Sequence, residues 1–209
     1  MRQRTQLVNA VRGHAAEFGV IAAKGIAQVE PLLRKIAETD MPQAAKGTLA
    51  QLGRVITQLD AQLAEIDRRL TAQHKANPVS QRLAAIPGVG PVTALTVAMK
   101  VDASQFESAR HFAAWLGMTP REHSTGSRQS LGGISRAGNE RLRQLLVVGA
   151  MAVIRHAKPG SKTASPWLLQ LLERRPRKVA AVALANKMAR ILWAMMANGT
   201  AYRRTPQAA

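Results

Sequence analysis

Between Leu49 and Leu70 the apolar residues fall at Leu49, Leu52, Ile56, Leu59, Leu63, Ile66 and Leu70, so that gaps of three and four alternate over three heptads. A β-strand has no use for that spacing, because its side chains change face at every residue. A slightly under-wound α-helix keeps all of these positions on one seam. Asp60, Glu65, Asp67, Arg68 and Arg69 flank the seam as solvated charges. The seam needs an apolar partner, either the first helix folded back within the chain or a second copy of the chain as a homo-oligomer. That first helix is predicted over Arg2 to Phe18, with Leu7, Val8, Val11, Ala15 and Phe18 on one face. Arg4, Arg12 and His14 belong to its solvated face. Gly19 and Lys24-Gly25 interrupt the pattern, and Glu30 to Thr39 resumes it as a short helix ended near Pro42. Asn77-Pro78 stops the long helix and separates a helical coiled-coil segment, 1–78, from a second domain, 79–209.

The second domain also reads as helical. Leu83 and Ile86 precede the turn Pro87-Gly88-Val89-Gly90, and Pro91 starts a helix carrying Ala94, Leu95, Ala98 and Met99. This has the form of a helix-hairpin-helix. Its N–H groups at Gly88 and Gly90 suit a phosphate oxygen without reading base identity. Ser104 and Glu107 have capping-box spacing, with Ser108 as the other candidate cap, ahead of a helix that buries Phe112, Ala113, Trp115 and Leu116. Asn139 caps a helix with Leu142, Leu145, Leu146, Gly149, Met151 and Val153 inward, and Ser165-Pro166 opens another. Val179 to Met196 is apolar nearly all round, and Lys187 and Arg190 within it argue for a buried central helix over a membrane span. No segment shows strand alternation, so the expected fold is all-α.

Charge narrows the partner. The chain carries 30 Lys and Arg against 12 Asp and Glu, a formal net charge of +18, and 19 of those basic residues lie from Val79 onward against five acidic ones. Such a field attracts a polyanion, most simply nucleic acid, although ribosomal RNA or an anionic membrane surface fits the charge equally well. Aromatic residues make up 3 % of the chain, too few for single-strand stacking to be the main mode of binding. Cysteine is absent, which excludes disulfides and thiolate–metal sites and suits a reducing cytoplasm. The five histidines form no His-x-x-x-His pair, so no metal site is expected, and no phosphate-binding Walker loop is present. No uninterrupted apolar run is long enough for a membrane span, and the basic start lacks the apolar core of a signal peptide.

The chemistry concentrates in the polar loop between Gly117 and Asn139. Ser124 lies in His123-Ser124-Thr125-Gly126, flanked by Arg121, Arg128 and Arg136, with no periodic apolar pattern to bury it. A serine attacks a phosphodiester only if its proton is removed and the charge developing around phosphorus is held by cations. A guanidinium fork matches phosphate oxygens bidentately. The plainer reading makes Ser124 and Thr125 turn formers in a solvated basic loop. Arg136, Arg141 and Arg143 gather at the start of the following helix, where its dipole also favours an anion. Arg174, Arg175, Arg177 and Lys178 form a second basic stretch suited to backbone contact.

Four blocks in order, IPGVGPVTA, FESARHFAAWLGMTP, HSTG and GGISRAGNERLRQLL, resemble the C-terminal domain of the insertion-sequence-110 family of transposases, the DEDD-type, bridge-RNA-guided serine recombinases. The resemblance runs from about Leu83 to at least Tyr202, and the N-terminal helices resemble the family's linking segment. It implies that a serine between GMTP and SRAGN attacks DNA and becomes joined to it. Ser124 matches that role, with Thr125 as the alternative hydroxyl because some relatives place serine directly before the glycine. It also implies a structured guide RNA as a partner beside DNA, and work at the bacterial nucleoid. An N-terminal RNase H-like domain with four Mg²⁺-binding acidic residues has no counterpart here. Asp40, Asp60, Asp67 and Asp102 sit in helical or linking contexts, so the chain itself is expected to need no cofactor. The expectation is the C-terminal portion of a transposase, and the competing reading is a non-catalytic helix-hairpin-helix module that holds nucleic acid.

Overall fold

A computed structural model describes residues 2–125, 130–161 and 165–203. The chain divides into two compact units, Met1–Arg69 and Leu70–Ala209. In the first, α1 (Arg2–Glu17) is followed by a 3₁₀ turn (Ile26–Gln28), α2 (Val29–Glu38) and the greater part of α3 (Gln43–Ala76). Val8, Val11 and Ala15 of α1, Leu32 and Ile36 of α2, and Leu49 and Ile56 of α3 share one buried cluster. The seam of α3 is thus covered from within the chain, by two short helices. Gly53 leaves room for Leu33, since a Cβ there would collide with the Leu33 side chain. Arg4 Nη1 donates to Asp60 Oδ1 at 2.6 Å, and Lys46 Nζ donates to the Ala37 carbonyl at 3.0 Å. The cover ends with α1: Leu59 and Leu63 are half-buried and Ile66 is 51 % exposed.

The second unit comprises the end of α3, α4 (Pro78–Leu83), α5 (Pro91–Lys100), α6 (Ala109–Trp115), strands β1 (Pro120–Glu122) and β2 (Leu131–Ile134), α7 (Glu140–Arg155), α8 (Pro166–Arg174) and α9 (Arg177–Ala197). Apart from the two strands its architecture is helical. Each start has a local cause. Asn77 Oδ1 accepts from the Ser80 N–H at 2.8 Å ahead of Pro78, Asn139 caps α7 through the Leu142 N–H at 2.9 Å, and Ser165 caps α8 ahead of Pro166. The capping box expected at Ser104 does not form. Asp102 instead caps a 3₁₀ turn (Ala103–Gln105) and Ser108 caps α6. Accepting from the hydroxyl and the N–H of Ser104 holds the Asp102 carboxyl below its ordinary pKa.

Helix α9 lies at the centre. Ala180, Ala181, Ala185, Met188, Ala189, Leu192 and Met195 are buried, and α4, α6, α7 and α8 all pack against it. Small residues let those helices approach closely. By length and composition α9 is the one helix among the described residues apolar enough to cross a membrane, yet this face forms the core of the unit. Trp115, expected inside, sits at the rim: it is 38 % exposed, its ring stacked on Phe112 at 5.8 Å and edge-on to Phe106 at 5.3 Å.

The turn between α4 and α5 packs on α7 backbone to backbone. Gly88 has φ 87°, and a Cβ there would stand 2.7 Å from the Gly149 carbonyl oxygen, while one at Gly149 would overlap the Gly88 oxygen. Replacing Gly149 by Ala should therefore lower the stability of this unit by about 1–3 kcal/mol, despite alanine's better helix propensity. Gly13, in α1 with nothing within 4 Å, is the contrasting site; Gly13→Ala should stabilise by about 0.5–1 kcal/mol. Urea unfolding checks both, by fluorescence of Trp115, Trp167 and Trp193 for the first and by far-UV circular dichroism for the second.

Candidate nucleic-acid interface

The polar loop is a short antiparallel ribbon. Pro120 pairs with Ile134 and Glu122 with Leu131, and a shift of register between them gives one strand an extra residue. Two strands of three and four residues, mostly exposed, bury no apolar face, so no alternation marks them in the sequence. The ribbon is held at its far end by the His123 N–H to the Ser130 carbonyl (2.8 Å) and by Ser124 Oγ, which accepts from the Ser130 N–H (3.2 Å). Ser124 is partly exposed and Thr125 exposed. The His123 ring lies over Gly132, where a Cβ would come 3.1 Å from both Cδ2 and Nε2. Arg121 reaches across the ribbon and donates from Nη2 to the Ser135 carbonyl at 3.1 Å, leaving its other N–H groups to serve elsewhere. Arg128 lies outside the described residues.

At its base the ribbon is stapled to three helices. Arg136 has φ 58° and donates its N–H to the Gly117 carbonyl at 3.0 Å. Gly117 (φ 68°) and Gly138 (φ 72°) leave no space for a side chain: a Cβ on the first would strike the Ala137 oxygen, and one on the second the Trp115 oxygen. Arg143, expected to face phosphate, turns inward. It is 9 % exposed, and its Nη1 donates to the carbonyls of Leu116 at 2.9 Å and Ala137 at 2.8 Å. Its position on α7, one turn past the cap, directs it at the crossing chains beneath the ribbon. From α9, Asn186 Nδ2 donates to the Met118 carbonyl at 3.1 Å. Neither role has a signature in the sequence, since all three acceptors are backbone oxygens.

The remaining candidates separate by location. Arg136 and Arg141 are exposed beside the ribbon base and on the first turn of α7. Arg174 and Arg175 end α8, and Lys178 stands on the first turn of α9, all exposed. Arg177 is partly engaged, donating from Nη2 to the Ile154 carbonyl at 3.2 Å. Gly88 serves helix packing, as above, while Gly90 is exposed at the cap of α5 without a side-chain partner. Among the described residues no three of His, Asp and Glu gather closely enough to hold a metal ion.

Fold and site together define a basic helical protein that presents a partly exposed hydroxyl at one end of a clamped ribbon, with Arg121 on that ribbon and Arg136 at its foot. Residues 80–165 match the model of the transposase IS116/IS110/IS902 family. Over 207 residues the chain is 47 % identical to a putative transposase of Sinorhizobium fredii, covering 98 % of this chain and 54 % of that protein. It is 45 % identical to a probable family 20 transposase of Pseudomonas aeruginosa, covering 97 % of this chain and 62 % of the relative. To the transposase for insertion sequence element IS1111A of Coxiella burnetii it is 39 % identical, over 97 % of this chain and 57 % of the relative. The chain is thus similar over nearly its whole length to proteins named as transposases, and over residues 80–165 to the IS116/IS110/IS902 family model. It spans a little more than half the length of those relatives.

Removing the inward arginine tests the staple. Arg143→Met should cost about 2–4 kcal/mol, because the buried Leu116 carbonyl and the partly buried Ala137 carbonyl lose a charged donor. It should also speed hydrogen exchange at the Ser135 and Arg136 amides, which bond to Thr119 and Gly117. Urea unfolding and exchange mass spectrometry read the two effects.

Proposed function

We propose that this chain is the part of a transposase that attacks DNA, with Ser124 as the nucleophile. The observation that carries the reading is the setting of Ser124 Oγ: partly exposed, on a ribbon clamped at its base, with Arg121 on the same ribbon and Arg136 at its foot. In the proposed step Oγ forms a bond to phosphorus and the phosphodiester's bridging P–O bond breaks. One strand end is left as a phosphoserine ester and the other as a free hydroxyl. The proton from Oγ passes to a nearby base, for which the His123 imidazole is the candidate on the described ribbon. Attack by the hydroxyl of the exchanged strand reverses the step and releases Ser124, so one phosphoester bond replaces another and no nucleotide hydrolysis is needed. Arg121 and Arg136, with Arg128, would stabilise the charge on the non-bridging oxygens, and the Arg121 guanidinium is already held across the ribbon by the Ser135 carbonyl.

The same proposal gives the outer arginines a different task. Arg141, Arg174, Arg175 and Lys178 are exposed on helix ends and would hold backbone phosphates of DNA or of a structured guide RNA, without reading sequence. Such partners place the protein's work at the bacterial nucleoid. The uncovered end of the α3 seam, with Leu63 half-buried and Ile66 exposed, suits a second copy of the chain. The Mg²⁺ chemistry implied by the resemblance belongs to acidic residues that the described part of this chain does not gather.

A duplex nicked near the crossover traps the covalent state. Wild-type protein should give a protein–DNA adduct on a denaturing gel, supplied where needed with the portion of a full-length relative that this chain does not span. Ser124→Ala should lower the yield at least 100-fold with DNA binding kept. Binding without an adduct in either setting identifies a nucleic-acid-holding module instead. Light scattering checks the seam: Ile66→Glu should turn a dimer or larger species into a monomer, and an unchanged mass contradicts self-association there.

A further inference from the structure

Beside the ribbon, α6 and α9 run antiparallel, with Asn186 next to Met118 at one end and Ala194 next to Ser108 and Ala109 at the other. Between them is an open groove of about 650 Å³. Ala109, Ile191 and Ala194 line it with apolar side chains, and Arg110, Lys187 and Arg190 line it with basic ones. No carboxylate lines it, and none of these three cations forms an ion pair with a described Asp or Glu. Glu107 precedes Ser108 on the chain but stays outside the lining. Arg110 and Arg190 are exposed, and the Lys187 ammonium lies 4.4 Å from the centre of the Trp167 ring, with its stem in the groove wall. We infer that this groove is a binding track for the phosphodiester backbone of duplex DNA, separate from the ribbon; the inference rests on the reading that DNA is bound at Ser124.

Three features select that occupant. Unpaired guanidinium groups beside small apolar side chains meet the two faces of a DNA backbone, anionic phosphate and apolar deoxyribose. The lining contains no aromatic residue, so unstacked bases of a single strand have nothing to lie on. Position is the third. Asn186 holds the first residues of the ribbon, and Arg190 stands one turn further along α9, about 6 Å at the rise of a helix. Duplex DNA places a phosphate on each strand about every 3.4 Å along its axis. A duplex that passes the foot of the ribbon, where Asn186 meets Met118, therefore has Arg190 one helical turn away, and the groove supplies register without base contacts.

The test uses the whole 209-residue chain and a fluorescein-labelled duplex of arbitrary sequence, with binding read by anisotropy over a range of KCl concentrations. Arg110→Gln combined with Arg190→Gln should reduce the slope of log affinity against log salt by about two, because each lost phosphate contact removes about 0.9. At 100 mM salt the affinity should fall by about tenfold or more. Arg110→Lys with Arg190→Lys should restore most of the slope, which a loss of folding would not allow. A slope unchanged in the glutamine variant overturns the proposal. So does a lysine variant that behaves like the glutamine one, or a loss confined to duplex RNA run in parallel. Adduct formation on the nicked duplex is scored with the same preparations. An adduct with an unmoved slope removes the groove and keeps Ser124; a reduced slope with no adduct keeps the groove and removes the serine chemistry.

Discussion

The guanidinium of Arg143 governs the arrangement on which the site depends. By donating to the carbonyls of Leu116 and Ala137 it ties the end of α6 to the chain that re-enters α7, and both legs of the ribbon leave from that knot. A neutral donor there would form weaker bonds, and an apolar side chain would strand two carbonyl oxygens away from water. Glycine at 117 and 138 is the other half of the same constraint, because the strands cross with backbone oxygens where side chains would stand. A reactive hydroxyl on a two-stranded ribbon is otherwise poorly placed, since such a ribbon has little stability of its own. Here the helical core lends it rigidity at the base, and Ser124 beyond β1 is partly exposed.

Helix α9 connects that knot to the rest of the unit. Its alanines let α6 and α7 pack closely on either side, and Asn186 reaches from it to the Met118 carbonyl. Core and site are therefore not separable parts: the face of α9 that buries Ala185, Met188 and Ala189 also fixes the height of the ribbon above it. Basic residues then divide by depth. Arg143 at the knot and, at the other end of α7, Arg177 in part satisfy carbonyls, and those on outer turns keep their charge available to a polyanion.

Much of this architecture was legible in the sequence because it depends on local patterns. The heptads of α3 announced a long helix, and Asn139 and Ser165 announced two helix starts, since a cap needs only its own neighbours; Asn77-Pro78 read only as a stop, yet it also caps α4. The expected helical fold follows from the same signals. What remained hidden depends on approach between distant segments. Gly88 read as a phosphate nest because its turn is tight, but Gly149, sixty residues on, explains its packing. Arg143 read as a phosphate ligand because it follows Arg136 and Arg141, and only the fold turns it inward. The ribbon was invisible because exposed strands of three and four residues carry no buried alternation. Ser124 itself stood out through composition, an unburied hydroxyl among arginines, and the fold adds the neighbours that hold it.

The central claim is that the hydroxyl at position 124 bonds to phosphorus. The most direct measurement is peptide mass spectrometry of the trapped species after nuclease and protease digestion. A phosphonucleotide is expected on the peptide containing His123-Ser124-Thr125, with fragment ions placing it on Ser124. A modification on Thr125, or on a peptide outside the ribbon, would contradict it.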